Sequence, residues 1–318
     1  MAFHRAIRIL LAGAAALVLA SCGGGSTVVS DFHPARFVVF GDAMADLKLG
    51  ASGAGRYTVN GDGTVNNWVL QLASYYGVTI SSSTAKATAH ARSAGTTDAT
   101  GTTVASGGAA SVSSQVTAWT SGFNATDLVV VSAGTSDLIA EGYKVAQSTQ
   151  TAAAASANVK QSARDLAAEI RNLVNKGATH VLVFTPYNMG RTPWATAVSQ
   201  ASVFESLSDD FYVELVYTVR DLNENVLVVD GRFEMNTLVN SSSYSAATPA
   251  CDPAATPTNL SSGLGIGASE LDSSLCTSSK VVSGYNASTY LFADRVYPTP
   301  LAHRLLGDYA YNKLRNRW

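Results

Sequence analysis

Charge is scarce in this 318-residue chain: 23 acidic and 21 basic residues give a net charge near −2. Without a basic excess or a lysine- and arginine-rich run, no basic patch in the sequence argues for nucleic acid, which is not expected as a partner. Cysteine is nearly absent, with only Cys22, Cys251 and Cys276. No histidine or further cysteine stands near either of the last two at ligand spacing, so no metal is expected, and nothing in the pattern asks for a cofactor. Apolar runs of membrane-spanning length are missing too. The longest, Ile9 to Ala20, has 12 residues, far short of the twenty or so that a spanning helix needs.

That short run has a meaning of its own. Arg5 and Arg8 precede it, and "LASC" (Leu19 to Cys22) follows. Basic residues, a brief apolar stretch and small residues in that order are the layout of a secretory signal. "LASC" also resembles the bacterial lipobox, in which the cysteine becomes a lipidated N-terminus after cleavage. The expected organisation is a signal peptide over 1–21, then Cys22 and a flexible tether through residue 34, opened by the Gly/Ser tract of Gly23 to Ser26. Gly23, rather than an acid, after the cysteine fits sorting to the outer membrane. The resemblance thus implies a lipid-anchored protein of the bacterial cell envelope, touching membrane only through that lipid. Without residues 1–21 the chain keeps 19 basic and 23 acidic residues.

What remains reads as one domain, 35–318. Apolar runs rich in valine ("RFVVFGD" 36–42, "DLVVVSAG" 127–134, "HVLVFTP" 180–186, "NVLVVDG" 225–231) alternate with helical patterns. The helices are expected over 67–77, 158–177, about 199–223 and 300–314. Between Asn158 and Gly177, Val159, Ala163, Leu166, Ile170, Leu173 and Val174 form one stripe and Gly177 ends it. Continuous apolar strands separated by helices predict a doubly wound, mostly parallel α/β sheet with helices on both faces. Two Ser/Thr/Ala-rich stretches, about 81–114 and 240–289, read as loop excursions. The second carries Cys251 and Cys276, and in an oxidising compartment a disulfide between them is expected.

In open parallel sheets, ligands sit beyond the carboxyl ends of the strands. There the chain places Gly41-Asp42-Ala43, Gly134-Thr135-Ser136-Asp137, Pro186-Tyr187-Asn188 and Asp230-Gly231. The first two read as turns that open helices and present backbone N–H groups.

"FGDAMAD" (40–46), "ATDLVVVSAGTSDL" (125–138) and "TYLFADRVYPTPLAHRLLGDYAY" (289–311) occur in that order. With them the chain resembles the SGNH (GDSL) hydrolases, in particular bacterial secreted esterases related to autotransporter esterases. "RYTVNG", "NNWVLQLASYYG" and "TPACD" add to the likeness. The family implies an ester hydrolase with a serine nucleophile, a histidine base held by an aspartate, and an oxyanion hole. Transferred position by position, that site is broken. Ala43 stands at the nucleophile, Ser136 at the oxyanion asparagine and Tyr297 at the base, and only the orienting acid is kept, as Asp294. The second family block matches "AHARSAG" (89–95), which sets its oxyanion glycine at Ser93 or at Ala94.

A serine is activated by its imidazole and the imidazole is oriented by the acid, so removing the nucleophile alone costs on the order of 10⁶ in turnover. Ser136 could substitute as nucleophile and His90 as base, if geometry joined them. His303 reads as a packed or surface helix residue, and Asp294 as a backbone acceptor or a partner of Arg295. Trp68, Tyr75 and Tyr76 read as core or cleft wall. The expected function is that of a pseudoenzyme binding an acyl or glycan ligand or an envelope protein. The alternatives are an active carboxylesterase, lipase or deacetylase with a relocated nucleophile, and a purely structural envelope protein.

Overall fold

Strand β1, Arg36–Gly41, is buried from Phe37 onward, so a valine-rich segment with no polar alternation can satisfy its backbone only inside a sheet covered on both faces. The computed structural model describes residues 32–49, 55–89, 91–93, 111–256, 266 and 270–318. Signal peptide, Cys22, most of the tether, His90 and Ala94 lie outside them.

β1 pairs in parallel with β2 (Asp127–Ser132), β2 with β3 (Val181–Phe184), and β3 with β4 (Val226–Val229), giving the order β1-β2-β3-β4. A further short run joins the outer edge of β1: Val39 N donates to the Thr84 carbonyl at 2.8 Å and Lys86 N to the Val39 carbonyl at 2.7 Å. Part of the 81–114 excursion therefore completes the sheet edge.

The helices are α1 (Trp68–Ser74), α2 (Val112–Ala118), α3 (Thr135–Ala146), α4 (Ala152–Asn175), α5 (Pro193–Ala197), α6 (Ala201–Val219), α7 (Gly231–Asn240) and α8 (Pro300–Arg315). They group as α1, α7 and α8 on the one hand and α2, α3, α4 and α6 on the other, the three-layer α/β arrangement that the alternating pattern predicts. α4 begins six residues before the expected start, because Ala152–Ala155 favour helix and the Thr151 hydroxyl accepts from Ala154 N. Its stripe of Val159, Ala163, Leu166, Ile170 and Leu173 is buried, while Arg164 and Arg171 reach Glu214 and Asp221 beside α6.

Cys251 and Cys276 form a disulfide with Cα atoms 6.1 Å apart. The clamp works on both sides: Cys251 N donates to the Ala293 carbonyl at 2.9 Å, and Asn60 N to the Cys276 carbonyl at 3.0 Å. The 240–289 excursion is thereby fastened to the segment that carries Asp294 and Tyr297. No described helix is long and apolar enough to cross a membrane.

Candidate functional site

The turn after β1 depends on a glycine. Gly41 has φ +142°, and a Cβ placed there would lie 1.8 Å from the Ser132 carbonyl oxygen, a distance no side chain can occupy. Its peptide is held from the other side by Gln115 of α2, whose Oε1 accepts from Gly41 N and whose Nε2 donates to the Gly41 carbonyl, each at 2.9 Å. Sequence reasoning missed Gln115, since its partner lies 74 positions away and no local motif signals the pairing.

Directly beyond Gly41, residues 42–49 form no helix. Residues 42–45 form a turn and 46–48 are irregular, a correction to the turn-then-helix reading. The cause is local competition by aspartates: Asp42 Oδ1 accepts from Met44 N at 3.1 Å, Asp46 Oδ1 from Lys48 N at 3.0 Å, and Asp46 Oδ2 from Ala89 N at 2.8 Å. Asp42 Oδ2 also takes Ser136 N at 3.2 Å, where α3 opens after Gly134. The Met44 and Ser136 amides at these strand ends are thus both directed at one carboxyl group. Full burial pushes that carboxyl up to about 7, against the lowering effect of those N–H donors.

The positions aligned with catalytic residues cluster here, and all are closed to solvent. Ala43 is 2 % exposed, and Ser136 and Tyr297 are 0 % exposed. The Ser136 hydroxyl has no hydrogen-bond partner among the described residues, so no described group prepares it as a nucleophile. Ser93 is buried as well, its N and Oγ donating to Asp137 Oδ2 at 3.0 and 2.9 Å. Arg92 Nε reaches the other oxygen of Asp137 at 3.0 Å, so the described end of the second block is pinned onto α3.

Asp294 faces no imidazole among the described residues. Its Oδ1 accepts from Val296 N at 2.7 Å and Tyr297 N at 2.6 Å, and its Oδ2 from Ser273 N at 3.3 Å. Arg295 pairs instead with Glu270 at 2.8 Å. Burial raises the Asp294 carboxyl to about 7, and Asp272 adds to the effect. The Tyr297 ring packs against Tyr57 with centroids 4.8 Å apart. Burial, with Asp42 nearby, holds its phenol well above the usual range, so it keeps its proton. Tyr187 fixes the same segment by donating to the Val296 carbonyl at 2.6 Å.

His303 is buried in α8, accepts from Trp68 N at 3.3 Å, and is driven down to about 3 by burial. A neutral imidazole tying α8 to α1 is a packing device. Trp68 is core, but Tyr75 is 46 % exposed and stacks on Tyr311 of α8, which corrects its reading as core or cleft wall.

An open cleft lies on the disulfide side of Asp294. It holds about 350 Å³ between Pro249, Cys251, Leu271 and Val282, with Glu270 and Arg295 among its polar groups. Among the described residues no group of His, Cys, Asp and Glu is arranged to hold a metal ion.

A parallel α/β sheet with glycine turns at its strand ends, and with the aspartate and turn motifs gathered there, defines a protein of the SGNH-hydrolase type. The chain belongs to the GDSL-like lipase/acylhydrolase family, which matches residues 37–310. No curated protein matches it.

Proposed function

We propose that this chain is a non-catalytic member of its family, a lipid-anchored envelope protein that acts by binding. The observation carrying this reading is the joint burial of Ala43, Ser136 and Tyr297, with Asp294 committed to backbone N–H groups. Serine-ester chemistry needs a hydroxyl, a base in reach and a carboxylate to hold the base. Here the hydroxyl at the nucleophile position is gone, a protonated phenol stands where the base would be, and the acid has turned to main chain.

Binding has a place at the edge of that centre, in a cleft whose lining includes Asp294. The cleft beside the disulfide combines apolar walls with Glu270 and Arg295, and its volume falls in the range of small-ligand sites. An acyl or sugar group of an envelope ligand fits that mixture, as does a side chain of a protein partner. The anchor is Cys22, lipidated after removal of residues 1–21.

The deciding experiment treats residues 22–318 with a fluorophosphonate probe and with short-chain esters. Neither labelling nor hydrolysis is expected. Labelling that disappears in Ser136→Ala would establish a relocated nucleophile and overturn the proposal.

A further inference from the structure

The strands have two ends, and the end opposite the closed site has its own chemistry. There Phe32 stacks on His180 with ring centroids 3.8 Å apart, and Trp318 meets both rings edge-on at 6.0 and 4.9 Å. Ala35 N donates to the Thr126 carbonyl and Val181 N to the Asn225 carbonyl, so residues 32–36, 126, 180–181, 225 and 318 lie level at the amino ends of the strands.

Helices that return antiparallel to these strands finish at the same end, and they bring cations with them. Lys176 follows α4, Arg220 follows α6, Arg315 closes α8, and Arg317 lies just beyond it. All four are exposed. Lys176 Nζ is held by the Val116 and Trp119 carbonyls, Arg220 lies over Tyr217, Arg315 over Tyr311, and Arg317 on the Asn223 carbonyl. For Lys176, Arg315 and Arg317 these partners are carbonyls and a ring, which leave the charges unneutralised, while Arg220 also feels the carboxylate of Asp221, which it shares with Arg171. The nearby acids Asp127 and Asp221 are taken by Arg36 and Arg171, and Glu224 is exposed. A chain with a net negative charge has therefore gathered uncompensated positive charge at one end.

We infer that this end is a membrane-facing surface: Lys176, Arg220, Arg315 and Arg317, with Trp318 among them, rest on the headgroups of an anionic phospholipid bilayer. The point where the chain enters the domain supports this occupant. Nine residues separate Cys22 from Phe32, a reach of about 30 Å at full extension, and Phe32 is fixed at this end. Cations next to an anionic leaflet and an indole at headgroup level are favourable there. The consequence is an orientation: the strand carboxyl ends and the cleft beside the disulfide point away from the bilayer, toward ligands or partners beyond it. The tether holds this end at a bilayer only with the proposed lipid at Cys22, whereas the charge acts without it.

Residues 22–318 carrying Cys22→Ser, which cannot be lipidated, are mixed with phosphatidylcholine vesicles with and without phosphatidylglycerol. Binding is expected only to the anionic vesicles and is expected to weaken with salt. Each cation is worth up to about five-fold at such a surface, so a variant with all four changed to Gln should lose about ten-fold or more. Brominated lipid should quench emission from the bound protein, and Trp318→Phe should remove most of that quenching. Equal binding to neutral vesicles, unchanged binding of the Gln variant, or quenching that survives Trp318→Phe would each overturn the inference. Lower thermal stability of the Gln variant with unchanged vesicle binding would assign the cations to the helix ends alone. Palmitate incorporation at Cys22 in cells is a separate measurement: its absence removes the anchor and leaves the vesicle result standing.

Discussion

Asp294 accepts a hydrogen bond at 2.6 Å from the backbone N–H of Tyr297, the residue standing where the family resemblance puts a histidine base. The acid that would hold an imidazole instead fixes the main chain of its replacement, while the Tyr297 phenol is fully buried against Tyr57. The positions that the family resemblance aligns with a catalytic centre, Ala43, Ser136, Asp294 and Tyr297, are part of the interior.

Restoring the nucleophile alone is therefore not expected to restore turnover. Ala43→Ser adds a hydroxyl 2 % exposed at most by its host position, with no base prepared for it. Ester hydrolysis by this variant should stay within about 10³–10⁴ of the uncatalysed rate. Stoichiometric fluorophosphonate labelling of Ala43→Ser would show that solvent and probe reach the turn, contrary to the burial described above.

The share of stability held by the two buried acids should fall as pH rises from about 4 to about 7. Asp42 and Asp294 are both raised to about 7 in the fold, above the ordinary carboxyl value near 4. The native state then holds two protons that the unfolded chain releases, so their contribution is complete below about pH 4 and is lost as pH approaches 7. His303, lowered to about 3, works oppositely: its neutral form favours the fold above about 6.5, and that advantage is lost as pH falls toward 3. Asp294→Asn isolates one acid. Its melting temperature relative to the parent should improve from about pH 4 to about pH 7 and then level off, as read by calorimetry, and a constant difference would contradict the assignment.

Gly41→Ala should be among the most damaging single changes. The added Cβ meets the Ser132 carbonyl at 1.8 Å, and φ is +142°, so both sterics and backbone oppose it. A loss of about 4 kcal/mol or more is expected, or failure to accumulate as soluble protein. Denaturant unfolding of the purified variant decides it.

Removing the disulfide tests the clamp on the Asp294 segment. Cys251→Ser with Cys276→Ser opens a loop of 24 residues, worth about 3–4 kcal/mol in the loop-entropy account. Because Cys251 N and the Cys276 carbonyl bind the main chain on both sides, protease cleavage between 240 and 289 should also speed up. An unchanged cleavage rate would mean that the hydrogen bonds hold the excursion without the covalent link.

The sequence by itself determined the four strands, the longer helices between them, the parallel sheet and the pairing of the two later cysteines, and it set Ala43 and Tyr297 where the family resemblance expects a serine and a histidine. Those features are local. Continuous Val/Leu runs, 3.6-residue stripes and motif spacing each report on a few neighbouring residues. It also suggested a helix after Gly41, because glycine turns usually open one, but the carboxylates of Asp42 and Asp46 took up the amides first. Only the tertiary structure decided which distant donor meets which acceptor: Gln115 on the Gly41 peptide, Asp137 on Ser93, His303 on Trp68. It alone set Lys176, Arg220, Arg315 and Arg317 at one end of the molecule, since they follow different helices and converge only through sheet order. Hydrogen bonds and charge clusters of that kind are made across the fold, and no short window of residues contains both partners.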